Sequence, residues 1–391
     1  MSGVHDEWLS QAEDVAADLA KDALERDRVG AQPHAEVEKL RAAGLPALLV
    51  PSELGGGGGD WATALGVVRS LAAADGSIAQ ILGYHYVNLA QLWFSGTAEQ
   101  QKRWGSATAE GQLMWGDAVN PLDPELVLRA DAGGLRLFGT KSFATGSSVG
   151  DVIVVSAERE SDGEPVLALV RADATGIDFD TTWDNLGQRL SASGGVTFDG
   201  TPVDPADVLG SLRPDRVTPY ASLVTPAIQA VFGHLYLGIA EGALRAARDY
   251  TRTTSRPWAL SGVATAVADP YVLGTYGELV ARARSVAALG GEAAAALDEA
   301  YAAGDRLTWD ERGEVAVLIA ALKVVSTELG TEATNRIFEV TGARATNNRH
   351  GFDLFWRNVR THTLHDPVAY KRREVGDHFL TGAYPDFTLY T

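Results

Sequence analysis

The spacing of apolar residues changes twice along the chain, and each change marks a change in secondary structure. From about residue 7 to residue 111, apolar side chains recur three or four positions apart, which places them on one face of a helix. Between about residues 113 and 212 the apolar segments are short, bounded by Gly, Asp and Pro, and rich in β-branched or aromatic residues, which predicts antiparallel strands. After residue 219 the helical period returns in long Ala-rich stretches.

Together these patterns predict an α+β fold that is mainly α and has three parts. We expect an N-terminal helical domain over residues 1–112, a central antiparallel, barrel-like β domain over 113–212, and a C-terminal helical bundle over 213–391. The long bundle helices are expected over Ala227–Tyr250, Pro270–Ala303 and Trp309–Val340.

Polar side chains mark where several helices begin. Asp60 stands before an apolar helical segment as an N-cap, and Thr97 with Gln100 three residues later forms a capping box. Asp366 followed by Pro367 places an aspartate N-cap before a proline in the first turn of one more helix.

Charge and composition exclude several classes of function. The chain carries 33 basic and 51 acidic residues, a net charge of −18, which disfavours binding to nucleic acid or to an anionic membrane surface. The absence of cysteine excludes disulfides, thiolate metal sites and cysteine nucleophiles. The N-terminus lacks the pattern of an export signal and the apolar runs are shorter than a membrane span, so a soluble cytoplasmic protein is predicted.

Five consecutive glycines, Gly55–Gly59, are the most unusual local feature. A phosphate-binding loop would need a Gly-Lys-Ser/Thr ending, and here Asp60 would place a negative charge at the phosphate. Because such a run has high backbone entropy, we expect the fold to hold or use this loop.

Histidine is rare, so its placement is informative. His362 and His365 lie three apart, which would put both rings on one helical face. A metal site, a structural pair and a catalytic or cofactor-contacting role are all open, although the sequence offers no second cluster of ligands for a metal. His85 lies on an otherwise apolar helix, where a buried structural histidine is the alternative to a catalytic one.

Arginines and tryptophans concentrate in two segments, TRTTSRPW (251–258) and GARATNNRHGFDLFWRNVRT (342–361). Guanidinium groups pair with phosphate and aromatic rings stack on planar ligands, so these segments favour a site for a planar anion. Salt bridges between subunits on a bundle surface are the alternative.

Several long segments resemble the acyl-CoA dehydrogenase fold, and within it the flavin-dependent monooxygenases of the dibenzothiophene monooxygenase type. The segments that carry the resemblance are GLPALLVPSELGGGGGDW (44–61), AAADGSIAQILGYHYVN (72–88), GTKSFATGSS (139–148), LGIAEGALRAARDYTRTTSRPW (237–258) and HGFDLFWRNVRTHTLHDPVAYK (350–371). The resemblance covers nearly the whole chain, and these segments are its most specific parts.

The resemblance implies a two-component enzyme. A separate NAD(P)H flavin reductase would supply reduced flavin, whose C4a-hydroperoxide, formed with O2, would oxygenate a small aromatic or heteroaromatic substrate, a thiophene sulfur or an indole-like ring. FAD-using relatives carry a Phe-Gly pair where this chain has Pro257–Leu260, so reduced FMN is favoured and FAD is possible. The resemblance also implies a homo-oligomer, a tetramer.

Three alternatives remain open at this stage: an acyl-CoA dehydrogenase, an amine N-hydroxylase and a non-enzymatic scaffold. A dehydrogenase would need a carboxylate base, and Asp366 matches one common position for it. An N-hydroxylase would be favoured by a buried carboxylate near the flavin, for which Asp117 is the candidate.

The resemblance also assigns site residues. His85 and His365 are the candidate catalytic groups, as proton donors near the flavin. No metal ligand is assigned. The candidate cofactor-binding residues are Asn120, Phe143, Thr145 and Trp183 near the ring system, and Arg256 and Arg344 at the phosphate with His362 nearby.

Overall fold

A computed structural model describes residues 2–121, 123, 126–388 and 390. The N-terminal part is helical, with α1 Ser2–Leu19, α2 Ala23–Val29, α3 His34–Ala42, α4 Trp61–Ala72, α5 Gly76–Ser95 and α6 Ala98–Gly111. Eight strands follow: β1 Trp115–Ala118, β2 Val127–Asp131, β3 Gly134–Lys141, β4 Val152–Arg159, β5 Glu164–Arg171, β6 Ile177–Phe179, β7 Val196–Val203 and β8 Val208–Ser211. The C-terminal helices are α7 Val224–Thr253, α8 Pro270–Ala303, α9 Trp309–Thr341, α10 Phe352–His362 and α11 Val368–Thr381.

The local signals for helix starts are confirmed at two of the three predicted positions. The Asp60 carboxylate accepts a hydrogen bond from the Thr63 amide (2.9 Å), and Thr97 with Gln100 forms the capping box before α6. The prediction for Asp366 is wrong, because Pro367 is the N-cap of α11 and caps it with no side-chain hydrogen bond. The Asp366 carboxylate instead bonds Lys323 of α9, far away in sequence.

The sheet is mixed, which corrects the expectation of an antiparallel domain. Its strand order is β6-β7-β3-β2-β4-β5-β8, and β1 also pairs with β4. β1 and β2 run in the same direction along one side of β4, β1 beside residues 152–155 and β2 beside 158–159. β1 ends at Ala118 and β2 begins at Val127, so the pairing along this side of β4 is interrupted between them. This break brings Asn120 to the edge of a cavity.

Helices α5 and α7 form the centre of the molecule. The segment Ala221–Thr253 is long and apolar enough to cross a membrane by length and composition, but 89% of its most apolar window is buried inside the protein. It is therefore the core helix of the bundle, packed on α4, α5, α8 and α9. Helix α5 is buried on every side, because it lies between the bundle, the N-terminal helices and β1.

The five glycines pack backbone against backbone on the turn at residues 47–50. The amides of Gly57, Gly58 and Gly59 donate to the carbonyls of Ala47, Val50 and Leu48 at 2.8–2.9 Å. A Cβ on Gly56 would lie 2.3 Å from the carbonyl oxygen of Val50. The fold holds this loop, as expected, and close approach of two backbones explains why glycine is needed.

Replacement of Gly56 by alanine should therefore destabilise the protein. We expect Gly56→Ala to lower the free energy of unfolding by about 1–3 kcal/mol, since the backbone has to move apart. Gly291→Ala is the matched control, because Gly291 lies on the exposed side of α8 and a Cβ there would meet no neighbouring atom within 4 Å. It should stabilise α8 by about 0.5–1 kcal/mol. Urea denaturation of both variants measures the difference, and equal effects would contradict the packing explanation.

Candidate active site

A cavity of about 600 Å³ lies where α5, α7, the sheet and the segment after α10 meet. This volume is typical of a small-molecule site. Among the described residues, its walls are largely apolar, with Val87, Val119, Leu167, Leu212, Val224 and Ile228. Polar side chains enter from each of the surrounding elements, so the cavity combines an apolar interior with a few directional groups.

One face of α5 forms a wall of the cavity. Gln80, Tyr84, Asn88 and Gln91 lie four, four and three residues apart, so their side chains share this face. All four are buried. This polar spacing on an apolar helix is a sequence signal for a ligand site. The placement of the histidines alone does not reveal it.

His85 lies outside the cavity, which corrects its assignment as a catalytic group. It follows Tyr84 by one residue and so lies about 100° around the helix. Its Nε2 bonds the carbonyl of Pro46 (2.8 Å), and its Nδ1 accepts from the amide of Trp115 (3.0 Å). Burial lowers the pKa of His85 to about 4. The residue is therefore a neutral structural bridge between α5, the glycine-rich region and β1.

The segments before β4 and β7 supply an aromatic and hydroxyl wall. Phe143 and Trp183 line the cavity with ring centroids 5.9 Å apart in an edge-to-face arrangement. The Thr145 hydroxyl is buried beside Ser193 Oγ (2.8 Å). Phe143 has a φ of 55° and 61% of its surface is exposed, an arrangement that costs free energy and is common at ligand sites. The structure thus brings these three predicted residues together.

Asn120 is held at the cavity by the break between β1 and β2. Its Nδ2 donates to Asp123 Oδ2 (2.9 Å) and Ser142 Oγ (3.1 Å), and its carbonyl accepts from Lys141 Nζ (2.9 Å). These bonds tie the loop to the end of β3 and fix the rim of the cavity.

Three glutamine side chains in the cavity have a buried polar atom without a partner among the described residues: Gln80 Oε1, Gln188 Nε2 and Gln229 Oε1. An unpaired buried polar atom costs about 1–3 kcal/mol, so such atoms are retained where a ligand pairs with them. The polar edge of an isoalloxazine ring carries both C=O acceptors and N–H donors. These amides and the neighbouring aromatic wall therefore fit a flavin.

His365 reaches the cavity from the loop after α10. Its Nδ1 bonds Asp366 Oδ1 at 3.1 Å, and Asp366 pairs with the ammonium of Lys323. Burial by itself would raise the pKa of Asp366, but the hydrogen bond from His365 and the charge of Lys323 outweigh it and hold that pKa well below its usual value. The carboxylate thus orients the imidazole ring through its Nδ1.

His362 lines the cavity but its ring is engaged by tyrosines. Its Nδ1 lies 2.9 Å from the Tyr236 hydroxyl and its Nε2 lies 3.4 Å from the Tyr84 hydroxyl. Burial lowers its pKa well below the usual value, and His365 and Lys323 lower it further. No group of three or more His, Asp or Glu arranged to hold a metal occurs in the described part of the chain.

Asp117 is a buried carboxyl group in the cavity wall. It follows Gly116, where a Cβ would lie 2.5 Å from the Ser147 amide nitrogen, so β1 packs directly on the segment that carries Thr145. Burial raises the pKa of Asp117 to about 7, and the hydrogen bond from Asn88 only partly opposes this.

Arg256 and Arg344 do not line the cavity, so within one chain they do not meet the other predicted cofactor-binding residues. Both are exposed on the surface. The Ser255 hydroxyl bonds the carbonyl of Thr341 (3.2 Å), so the segments that carry the two arginines meet at one end of the bundle.

The Lys323–Asp366 pair should contribute strongly to stability. Lys323→Met should lower the free energy of unfolding by about 3–5 kcal/mol at pH 7, below the pKa of about 8 to which burial lowers the Lys323 ammonium, because it leaves a buried carboxylate unpaired. The loss should shrink near pH 4–5, where an unpaired buried Asp366 takes up a proton. Urea denaturation at both pH values measures this, and Lys323→Met/Asp366→Asn should recover part of the loss. A pH-independent loss would contradict the ion pair.

Asp117 should make stability fall as pH rises. Its pKa is 3.8 in the unfolded chain and about 7 in the folded protein, so between these values the folded state holds a proton that the unfolded state has lost. The free energy of unfolding then decreases with pH by up to about 4 kcal/mol. Asp117→Asn should be more stable than wild type at pH 8 and equal to it near pH 4. An equal difference at both pH values would contradict the shift.

The chain matches two family models: "Acyl-CoA dehydrogenase, N-terminal domain" over residues 4–112 and "Acyl-CoA dehydrogenase, C-terminal domain" over residues 230–369. It is 39% identical to dibenzothiophene monooxygenase of Rhodococcus erythropolis over 93% of this chain and 90% of that protein. It is 40% identical to the probable FMNH2-dependent monooxygenase SfnC of Pseudomonas putida, over 98% and 97%.

Solved structures show the same relationship. Methanesulfinate monooxygenase MsuC of Pseudomonas fluorescens superposes with a TM-score of 0.94 at 40% identity, over 98% of this chain and 99% of that one. TdsC of Paenibacillus sp. A11-2 in complex with FMN and indole superposes with a TM-score of 0.94 at 38% identity, over 98% and 100%. This chain therefore belongs to the acyl-CoA dehydrogenase family and, within it, is a flavin-dependent monooxygenase that uses FMN.

Proposed function

We propose that this protein is the oxygenase of a two-component system in the cytoplasm and oxygenates an aromatic or heteroaromatic small molecule, a thiophene sulfur or an indole-like ring. The observation that carries this is the cavity of about 600 Å³, whose aromatic wall and unpartnered amides face an apolar interior. Reduced FMN from a separate NAD(P)H flavin reductase would supply the two electrons, so that one atom of O2 enters the substrate and the other leaves as water. Relatives that act on dibenzothiophene and bind indole support a ring substrate.

In this proposal, the residues around the cavity have different roles. Phe143 and Trp183 pack against the flavin ring, while the hydroxyl of Thr145 and the loop of Asn120 contact its polar edge. His362 closes the wall behind them as a neutral group. The apolar side chains keep water away from the site, which this chemistry requires because water and stray protons would cause the reduced oxygen to be released as hydrogen peroxide, leaving oxidised flavin and unchanged substrate.

His365 is the proton donor in this proposal. Its Nδ1 is held by Asp366, and no described residue bonds its Nε2, which is the nitrogen presented to a ligand. Asp366 itself is 6% exposed, paired with Lys323, and absent from the cavity wall. The carboxylate that an acyl-CoA dehydrogenase would need at this position is therefore unavailable as a base.

Assembly into a tetramer would complete the phosphate site. The loop that carries Arg256 exposes Trp258 and Leu260, with 71% and 84% of their surfaces accessible, and α8 exposes Tyr271 beside it. Large exposed apolar groups are typical of contacts between proteins. Arg256 and Arg344 would then bind the flavin phosphate of a neighbouring subunit.

Replacement of His365 tests the proton donor. With reduced FMN, O2 and indole supplied, His365→Phe should form product at least 10²-fold more slowly, the lower end of a general acid contribution. The same oxygen should appear as hydrogen peroxide, while the Kd for FMN changes less than about threefold. Product is measured by chromatography and peroxide by a coupled assay.

His34→Phe is the matched control, because His34 is an exposed histidine at the start of α3 and does not line the cavity. It should leave the product yield unchanged. A His365→Phe variant with the wild-type ratio of product to peroxide would contradict the assignment.

A further inference from the structure

Asp117 is a carboxyl group that neither the flavin site nor the proton donor accounts for. It is 5% exposed and lines the cavity beside the polar face of α5. Among the described residues, its side chain accepts a hydrogen bond from Asn88 Nδ2 at 3.4 Å, and no cation pairs with it. A bond of that length is weak, and the backbone of Thr145 is the other donor near the carboxyl group, so among the described residues no side chain gives it a short hydrogen bond.

Hydrogen bonds to both its amide and its carbonyl fix the backbone of Asp117. Its amide donates to the carbonyl of Thr145 (3.1 Å), and its carbonyl accepts from Ser147 Oγ (2.6 Å). At Gly116, which has no Cβ, the backbone of β1 lies directly against the backbone of residues 146–147. The carboxyl group therefore cannot turn away toward solvent, and a partner has to come to it in the cavity.

Water is a poor hydrogen-bond partner for the Asp117 carboxyl group while the site transfers oxygen. Oxygen transfer from flavin requires that water be excluded from the cavity. An apolar substrate would then leave the carboxyl group desolvated and unpaired, at a cost of about 1–3 kcal/mol or more for a charged form. A substrate with a hydrogen-bond donor removes this cost.

The charges of the wall favour a neutral donor over a cation. Among the described lining residues, Asp117 carries the carboxyl group and Arg360 the guanidinium group, so their formal charges sum to zero. A protonated amine would add a positive charge to an interior of nearly zero net charge and low polarity, which is unfavourable. An N–H on a neutral ring satisfies the carboxyl group without this penalty.

We propose that Asp117 is a specificity-determining residue whose carboxyl group accepts a hydrogen bond from the N–H of a neutral heteroaromatic substrate. The cavity then selects indole-type rings over sulfur rings of the same shape. The proposal rests on the proposed oxygenase function and narrows its substrate class. Sites built to bond a donor discriminate strongly against analogues that lack it.

Binding of three rings of similar shape tests the proposal. Indole carries the N–H, 1-methylindole lacks it, and benzothiophene replaces it with sulfur without adding a methyl group. With the FMN-loaded protein, calorimetry should give a Kd for indole about 10–100-fold lower than for the other two, the effect of one hydrogen bond to a carboxylate.

Two variants assign that preference to Asp117. Asp117→Val has a similar size and no acceptor, so the ratio of the Kd values should fall to about one. Asp117→Asn retains a carbonyl acceptor and should keep an intermediate ratio, which a merely structural role would not produce. The Kd for FMN should change less than about threefold in both variants.

Several outcomes would overturn the proposal. They are equal Kd values for the three rings in the wild type, the same ratio in all three proteins, or a Kd for FMN that rises in step with that for indole. Tighter binding of cyclohexylamine than of indole, lost in Asp117→Val, would assign the group to a cationic amine instead. Failure of the wild type to bind FMN at all would contradict the proposed function itself, whereas equal ratios with FMN bound contradict only the role of Asp117.

Discussion

The ion pair between Lys323 and Asp366 fixes the C-terminal wall of the cavity. Lys323 is 1% exposed in the middle of α9, and Asp366 lies just before α11, so the pair joins the core of the bundle to the segment that carries His362 and His365. Replacement by apolar groups would give a comparable core. What the charges add is orientation, because the ionised carboxylate holds one ring nitrogen of His365 and directs the other toward the ligand.

A second constraint is that α5 is buried all round and serves two purposes at once. One face presents Gln80, Tyr84 and Asn88 to the cavity, while His85 joins the helix to Pro46 and Trp115 on another side. A rotation of α5 by one residue would exchange these faces. The backbone contacts of His85 therefore help to keep the polar face of α5 directed at the ligand.

Local signals in the sequence predicted the fold well, and distant contacts limited the rest. The ends of α8 and the start of α9 follow from capping residues and helical spacing, which act within a few positions. Asp366 was misassigned as a cap because its partner Lys323 lies 43 residues away. The parallel pairing of β1 and β2 with β4 is likewise set by long-range contacts rather than by residue type.

The candidate site, like the fold, was hard to predict where a residue's position depends on distant contacts. Phe143, Thr145, Trp183 and Asn120 line one cavity, although only Phe143 and Thr145 lie in a segment that carries the family resemblance. His85 differs because α5 is buried on every side, so a polar residue on this helix can face either the cavity or the packing contacts. The polar spacing of Gln80, Asn88 and Gln91 marks the cavity face, and His85 is not part of it. Arg256 and Arg344 lie exposed on the surface and do not line the cavity, so one chain alone does not bring them to it.

We infer that the chain transfers one oxygen atom from O2 to a ring substrate at this cavity. Labelling with ¹⁸O2 tests it most directly, with the wild-type protein, reduced FMN and indole or benzothiophene, and mass spectrometry of the product. The structure predicts one ¹⁸O atom in each product molecule. A product that carries oxygen from water, or bleaching of oxidised flavin by an acyl thioester without any oxygenated product, would contradict it.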